Sequence, residues 1–142
     1  MIPVDLDIPI LLVDDDAMVR GVLADYLKSF GFRFVTEVRD PARALKMIRD
    51  PKIPIRLILS DWEMPGVSGL SLLRALRNQP DRVHTKFIMI TSQQSMERVK
   101  VTRAAHHQVN SYLVKPFRAE ALKERIWQVM GWQDDGAKKK AG

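Results

Sequence analysis

Residues 55–66 read Ile55-Arg56-Leu57-Ile58-Leu59-Ser60-Asp61-Trp62-Glu63-Met64-Pro65-Gly66. An apolar run of strand length ends on one carboxylate, and a Pro-Gly turn follows within five residues. Strand ends of this kind are where a parallel α/β sheet places its chemistry. Three further runs end in polar residues. Ile10-Leu11-Leu12-Val13 meets Asp14-Asp15-Asp16, Phe87-Ile88-Met89-Ile90 meets Thr91-Ser92, and Tyr112-Leu113-Val114 meets Lys115-Pro116. The four ends are expected to form one site with Asp61 as its reactive group.

Working outward, helical patterns separate these strands. Asp16 is expected to cap a helix running to about Phe30, with Val19, Leu23, Tyr26, Leu27 and Phe30 on one face and Gly31 as the stop. Arg33 to Val38 reads as a short strand. Asp40-Pro41 is an N-cap followed by proline at the first helical position, opening a helix that buries Ala44, Leu45 and Ile48. Gly69 to Arg77 reads as a helix with Leu70, Leu73 and Leu76 on one stripe. Ser95 to about His106 reads as a basic fourth helix. The last helix is expected from Arg118 to Met130, with Leu122, Ile126 and Val129 inward. Five strands alternating with five helices predict a parallel sheet covered on both faces.

Length and composition bound the rest. A chain of 142 residues is one domain by size, with 46% hydrophobic and 28% charged residues, as in ordinary globular proteins. No apolar run approaches the roughly 20 residues of a membrane helix, and residues 1–8 lack the basic start of a signal peptide. Without cysteine there is no disulfide framework or thiolate metal site, and cytoplasmic residence is the simplest reading. Residues 1–8 read as a leader across the surface, 9–131 as the domain, and 132–142 as a disordered basic tail containing Lys138-Lys139-Lys140. The net charge of +6 favours acidic partners, but no aromatic-basic interleaving accompanies it, which argues against direct nucleic-acid binding.

Asp14, Asp15 and Asp61 carry the sharpest signal. Carboxylates gathered together repel one another unless a cation sits among them, and an oxygen-only set suits Mg²⁺. Aspartates after a single strand more often merely cap the next helix, but that explanation weakens once a second strand also ends on aspartate. Lys115, held extended by Pro116, can reach Asp61 or an oxyanion on it, and Thr91 can donate to the same oxyanion. Either residue alone would more often be a solvated lysine or an ordinary strand-end threonine. Together they are what phosphoryl transfer to Asp61 as nucleophile requires. Met18, Met64, Met89 and Met96 read as core or near-core filler, Trp127 and Trp132 as packing residues, and Trp62 as a partly exposed neighbour of Asp61.

Four pieces in order carry a family resemblance over about residues 9–131. They are Leu12-Val13-Asp14-Asp15 with Met18 and Arg20, Ser60 to Gly66 with Gly69, Ile90-Thr91-Ser92, and Tyr112 to Phe117. The chain resembles the receiver domain of two-component response regulators, most closely the stand-alone type similar to the chemotaxis response regulator. The resemblance implies a flavodoxin-like five-stranded sheet in order 2-1-3-4-5. It implies that Asp61 accepts a phosphoryl group from a phosphohistidine of a sensor histidine kinase or phosphotransfer protein. Mg²⁺ would be held by Asp15, Asp61 and the backbone carbonyl of Glu63, with Asp14 acting largely through water. Lys115 and Thr91 would contact the phosphoryl group, and Tyr112 would swing inward with Thr91. That would alter the surface of the fourth helix, fifth strand and last helix, to which a downstream protein, acidic by charge complementarity, would dock. Glu63 and Gln93 would tune the phosphoryl lifetime.

The sequence departs from that family in one region. An Ala-Gly pair usual before the fifth strand is replaced by His107-Gln108-Val109-Asn110, and the segment from Thr91 to Lys115 is about two residues longer. The expected basic docking face is Arg98, Lys100 and Arg103 with Arg118, Lys123 and Arg125. The protein is expected to act as a switch, as a monomer or a phosphorylation-dependent dimer, and not as a multiple-turnover enzyme. An aspartyl-phosphate phosphatase would usually carry a second aspartate two residues after the nucleophile, where this chain has Glu63.

Overall fold

The computed structural model describes residues 2–96 and 109–133. Its main sheet has five parallel strands: β2 (Pro9–Val13), β3 (Phe34–Val38), β4 (Leu57–Asp61), β5 (Lys86–Ser92) and β6 (Ser111–Lys115). They lie in the order β3-β2-β4-β5-β6, which is 2-1-3-4-5 when β2 is counted as the first strand of the sheet. The order reverses direction between β2 and β4, so the crevice above their carboxyl ends is the expected ligand position.

Helices α1 (Ala17–Ser29), α2 (Pro41–Arg49), α3 (Gly69–Arg77) and α4 (Ala119–Met130) cover the sheet. The central strands are apolar at successive positions because both of their faces are buried. Ile10, Leu12, Leu57, Leu59, Ile88 and Ile90 join Leu23, Leu27, Leu122 and Ile126 in one core layer. Leu11, Val13, Ile58, Phe87 and Met89 join Ala44, Ile48, Leu72, Leu73 and Leu76 in the other. Leu72 is fully buried beside the predicted Leu73.

Local chemistry explains the helix starts. Asp16 accepts the N–H groups of Met18 and Val19 at 2.9 and 3.2 Å, Asp40 accepts that of Ala42 at 2.9 Å, and Ser68 accepts that of Ser71 at 3.2 Å. Pro41 occupies the first turn of α2, where its missing N–H costs nothing.

Three expectations change. Trp132–Gln133 is not the start of a featureless tail: it forms strand β7, parallel to β1 (Ile2–Pro3) of the supposed leader. Trp132 is buried against Phe32 and Trp127, with ring centroids 5.9 and 5.1 Å away. Two-residue strands carry no periodicity, so this pairing of distant segments leaves no local sequence signal. Met18, read as core filler, is 81% exposed. The α1 face that packs inward is set by Val19, Leu23 and Leu27, and Met18 lies one residue, about 100° of helix, away from it. Finally, β4 and β5 run two residues beyond their apolar runs and β6 one, because Asp61 pairs with Ile90 and Ser92 with Lys115. The predicted fourth helix lies mostly outside the described residues, as do Arg98, Lys100 and Arg103 and residues 134–142; residues 93–96 are helical.

Candidate functional site

The carboxyl ends of β2, β4 and β6 bring Asp14, Asp15, Asp61 and Lys115 together. One carboxylate oxygen from each aspartate lies within 4.8 Å of the others. The Lys115 ammonium stands 3.6 Å from Asp14 Oδ2 and 3.5 Å from Asp61 Oδ1. One cation against three carboxylates leaves the cluster short of positive charge.

Asp14 is 1% exposed. Its Oδ1 accepts the Asp16 N–H at 2.9 Å, while Oδ2 is buried without a hydrogen bond among the described residues. Burial pushes the Asp14 carboxyl above the usual aspartate range, against the opposing pull of the Asp16 N–H and Lys115. Asp61 is raised too, first by burial and then by the charge of Asp14, with Lys115 opposing. One buried and one half-buried carboxyl, both pushed upward, beside the third, more open Asp15 form a site that would gain from a hard cation. Asp14, Asp15 and Asp61 are therefore chemically suited to hold one.

Asp61 is held from its own strand end. Its Oδ1 accepts the Trp62 N–H at 2.9 Å, and that N–H also points to the Ile90 carbonyl at 3.2 Å. The loop after Asp61 is drawn tight by Gly69, whose N–H donates to the Trp62 carbonyl at 3.0 Å. A side chain at Gly69 would run into the Asp61 carbonyl oxygen and come within 2.9 Å of Met89 Sδ. Glycine is required there by close approach, and Gly66, with φ at 81°, is required by the turn itself. The sequence had placed Gly69 in the motif without showing this reason.

The other predicted residues fall around this centre. Thr91 is fully buried on β5, one residue beyond Ile90, the strand partner of Asp61. Its hydroxyl leans toward the Ser92 carbonyl at 3.5 Å, too long for a strong bond, so it is not engaged by Asp61. Glu63 and Gln93 are exposed, each two residues past its strand-end partner. The Lys115-Pro116 peptide bond is cis. Tyr112 on β6 pairs with Met89 and packs against its core layer, its hydroxyl buried and its acidity reduced by that burial. A groove beside it is lined by Met96, Tyr112, Val114, Phe117, Ala121 and Arg125. Of the predicted basic face, Arg118 and Arg125 are exposed, whereas Lys123 lies over the Trp127 ring at 5.0 Å.

Two residues without a role assigned from the sequence make defining contacts, Asn110 in the atypical segment and Arg20 in α1. Asn110 Oδ1 accepts the Phe87 N–H and an Arg77 N–H, both at 2.8 Å, and the Asn110 N–H donates to the Phe87 carbonyl at 3.0 Å. The asparagine thus ties the beginning of β6 to β5. Arg20 donates to the Asp14 carbonyl at 2.8 Å, which ties α1 to the acidic loop. Neither partnership follows local periodicity.

Comparison with known proteins agrees with this geometry. A family model for the response regulator receiver domain matches residues 10–127. The chemotaxis protein CheY of Pseudomonas aeruginosa is 36% identical over 120 residues, 84% of this chain and 94% of that protein. CheY-3 of Vibrio cholerae is 36% identical over 117 residues, 82% of this chain and 87% of its own. Among solved structures, CheY4 of Vibrio cholerae superposes with a TM-score of 0.74 at 28% identity, covering 87% of this chain and 98% of that one. The receiver domain of a Pseudomonas aeruginosa sensor histidine kinase, with a magnesium ion coordinated in its active site cleft, gives a TM-score of 0.74 at 28% identity, covering 88% and 98%. With its parallel sheet, its acidic cluster and this match over most of its length, the chain belongs to the response regulator receiver domain family of two-component signalling.

Proposed function

We propose that the protein is a phosphorylation-activated signalling switch in which Asp61 is the phosphoacceptor. The observation that carries this reading is the meeting of Asp61, buried Asp14, Asp15 and Lys115 at the carboxyl ends of β2, β4 and β6. An Asp61 carboxylate oxygen bonds to phosphorus as the phosphorus–nitrogen bond of a phosphohistidine breaks, and that bond's electron pair returns to the imidazole of the donor. The product is an acyl phosphate on Asp61. Lys115, already beside Asp61 Oδ1, neutralises charge on the phosphoryl oxygens, and the Trp62 N–H orients the carboxylate. Thr91 turns its hydroxyl from the Ser92 carbonyl toward the phosphoryl group, and Tyr112 follows it inward.

Asp15, Asp61 and the Glu63 backbone carbonyl would hold Mg²⁺, with Asp14 acting largely through water, and the ion would supply charge neutralisation during the transfer. The donor is a sensor histidine kinase or phosphotransfer protein. The signal leaves through the surface beside Tyr112 and α4, read by a downstream protein in the cytoplasm. Glu63 and Gln93 at the rim set the phosphoryl lifetime. The protein catalyses only its own phosphorylation and dephosphorylation, without turnover of external substrates. Among the described residues no helix is long and apolar enough to cross a membrane.

Incubation with Mg²⁺ and a small acyl-phosphate donor, followed by intact mass, tests the acceptor. One phosphoryl group should appear on the wild type and be released by hydroxylamine, and none should appear on Asp61→Asn. Equal labelling of the variant, or sustained turnover of phosphate esters by the wild type, would overturn the reading.

A further inference from the structure

Arg20 touches none of the groups that would meet phosphate or metal, yet it fixes the residue on which their site is built. Asp14 has four polar groups, and three are committed within the fold. Its N–H donates to the Val38 carbonyl at 3.3 Å, its Oδ1 accepts the Asp16 N–H at 2.9 Å, and its carbonyl accepts Arg20 NH1 at 2.8 Å. Only Oδ2 remains for the acidic cluster, facing Lys115.

The other arm of Arg20 reaches β3. Its Nε lies 3.5 Å from Glu37 Oε1, and Glu37 stands opposite Leu12 in the β2–β3 pairing. The Arg20 side chain is 17% exposed and that of Glu37 41%, so the guanidinium is largely enclosed while the ion pair opens to solvent on its Glu37 side and braces it only weakly. One planar guanidinium spans the end of β2, the first turn of α1 and the edge strand β3, which a lysine ammonium cannot do with a single nitrogen.

We propose that Arg20, braced by Glu37, is a positioning residue that aims Asp14 Oδ2 into the cation site and so sets its affinity for Mg²⁺. The inference rests on reading the acidic cluster as a Mg²⁺ site. A purely electrostatic role predicts the opposite sign, since a cation close to the cluster repels Mg²⁺ and its removal would tighten binding. Loss of a group that orients a metal ligand instead weakens binding, typically by about 10–100-fold. The sign of the change therefore decides between the two accounts.

The experiment titrates Mg²⁺ alone into the metal-free full chain and follows the fluorescence of Trp62, the residue next to Asp61. Arg20→Ala should weaken Mg²⁺ binding by about tenfold or more. Arg20→Lys, which keeps the charge but loses the fork, should also weaken it by several-fold, and Glu37→Gln should weaken it less than either. Thermal melts in chelator identify variants that remain folded at the titration temperature; the lysine variant carries the test if the alanine variant does not fold. Unchanged or tighter binding in a folded Arg20 variant overturns the inference while leaving the site intact. A wild type that shows no Mg²⁺ response overturns the reading of the acidic cluster and this inference with it.

Discussion

The two ends of the sheet treat buried charge in opposite ways. At the amino end, Arg82 is 6% exposed and donates to four backbone carbonyls. Its Nε donates to the Ile48 carbonyl at 2.7 Å, and NH2 reaches the carbonyls of Met47, Asp50 and Ile53 at 3.0, 2.7 and 2.8 Å. These carbonyls belong to the last turn of α2 and the loop after it, where helical bonding leaves acceptors without donors and the dipole favours a cation. At the carboxyl end, Asp14 is still more buried, but its Oδ2 makes no hydrogen bond among the described residues. The first arrangement stabilises the fold. The second costs stability, and that cost is intelligible only as preparation for a ligand.

Removing Arg82 should be the most damaging change at either end. Arg82→Ala strips a donor from four carbonyls and should lower stability by about 3 kcal/mol or more, read by urea denaturation. Labelling of Asp61 in the molecules that remain folded should proceed as before. A loss of labelling beyond the loss of folded protein would break the division between the two ends.

Asn110 extends the satisfied end across to β6. Asn110→Ala removes an acceptor from the Phe87 N–H and from Arg77, and should cost about 1–2 kcal/mol in the same assay. A negligible effect would show that this atypical segment is held by other contacts.

The acidic end should respond with the opposite sign. Asp14 and Asp61 have folded-state pKa values raised above the ordinary value of 3.8. The folded chain therefore binds these protons more tightly than the unfolded chain does. Their contribution to stability is complete below about 3.8 and is lost as pH rises through the raised folded values. Asp14→Asn keeps an acceptor for the Asp16 N–H but cannot ionise. In chelator at neutral pH it should be more stable than the wild type, by on the order of 1 kcal/mol, with a flatter pH profile in thermal melts. Adding Mg²⁺ should stabilise the wild type and leave the variant behind. A variant less stable than the wild type without metal would remove the argument that this end is strained for a ligand.

The acidic site was legible before the fold because its residues sit immediately after apolar runs. A strand that stops at Asp14, Asp61 or Lys115 announces both the element and the chemistry at its end. Helix caps at Asp16 and Asp40 were readable for the same reason: a cap bonds to its own chain two or three residues on. Arg82, Asn110 and the β1–β7 pair were not legible in this way. Arg82 binds carbonyls 29 to 35 residues away, Asn110 binds residues 23 and 33 away, and Ile2 pairs with Trp132. No window of local periodicity contains both partners.

The sequence by itself determined the five strands of the main sheet, most helix starts and the set of polar residues carried to one edge of that sheet. Alternation, capping and apolar run length act over a few residues and need no knowledge of the fold. Tertiary structure decided which oxygen of Asp14 stays unbonded, that Met18 faces outward, that Trp132 pairs through β7 with β1, and that Arg20 reaches Asp14 and Glu37 together. Those outcomes depend on which surfaces and backbone groups meet across separate elements of the chain, and no local stretch of sequence contains all the partners.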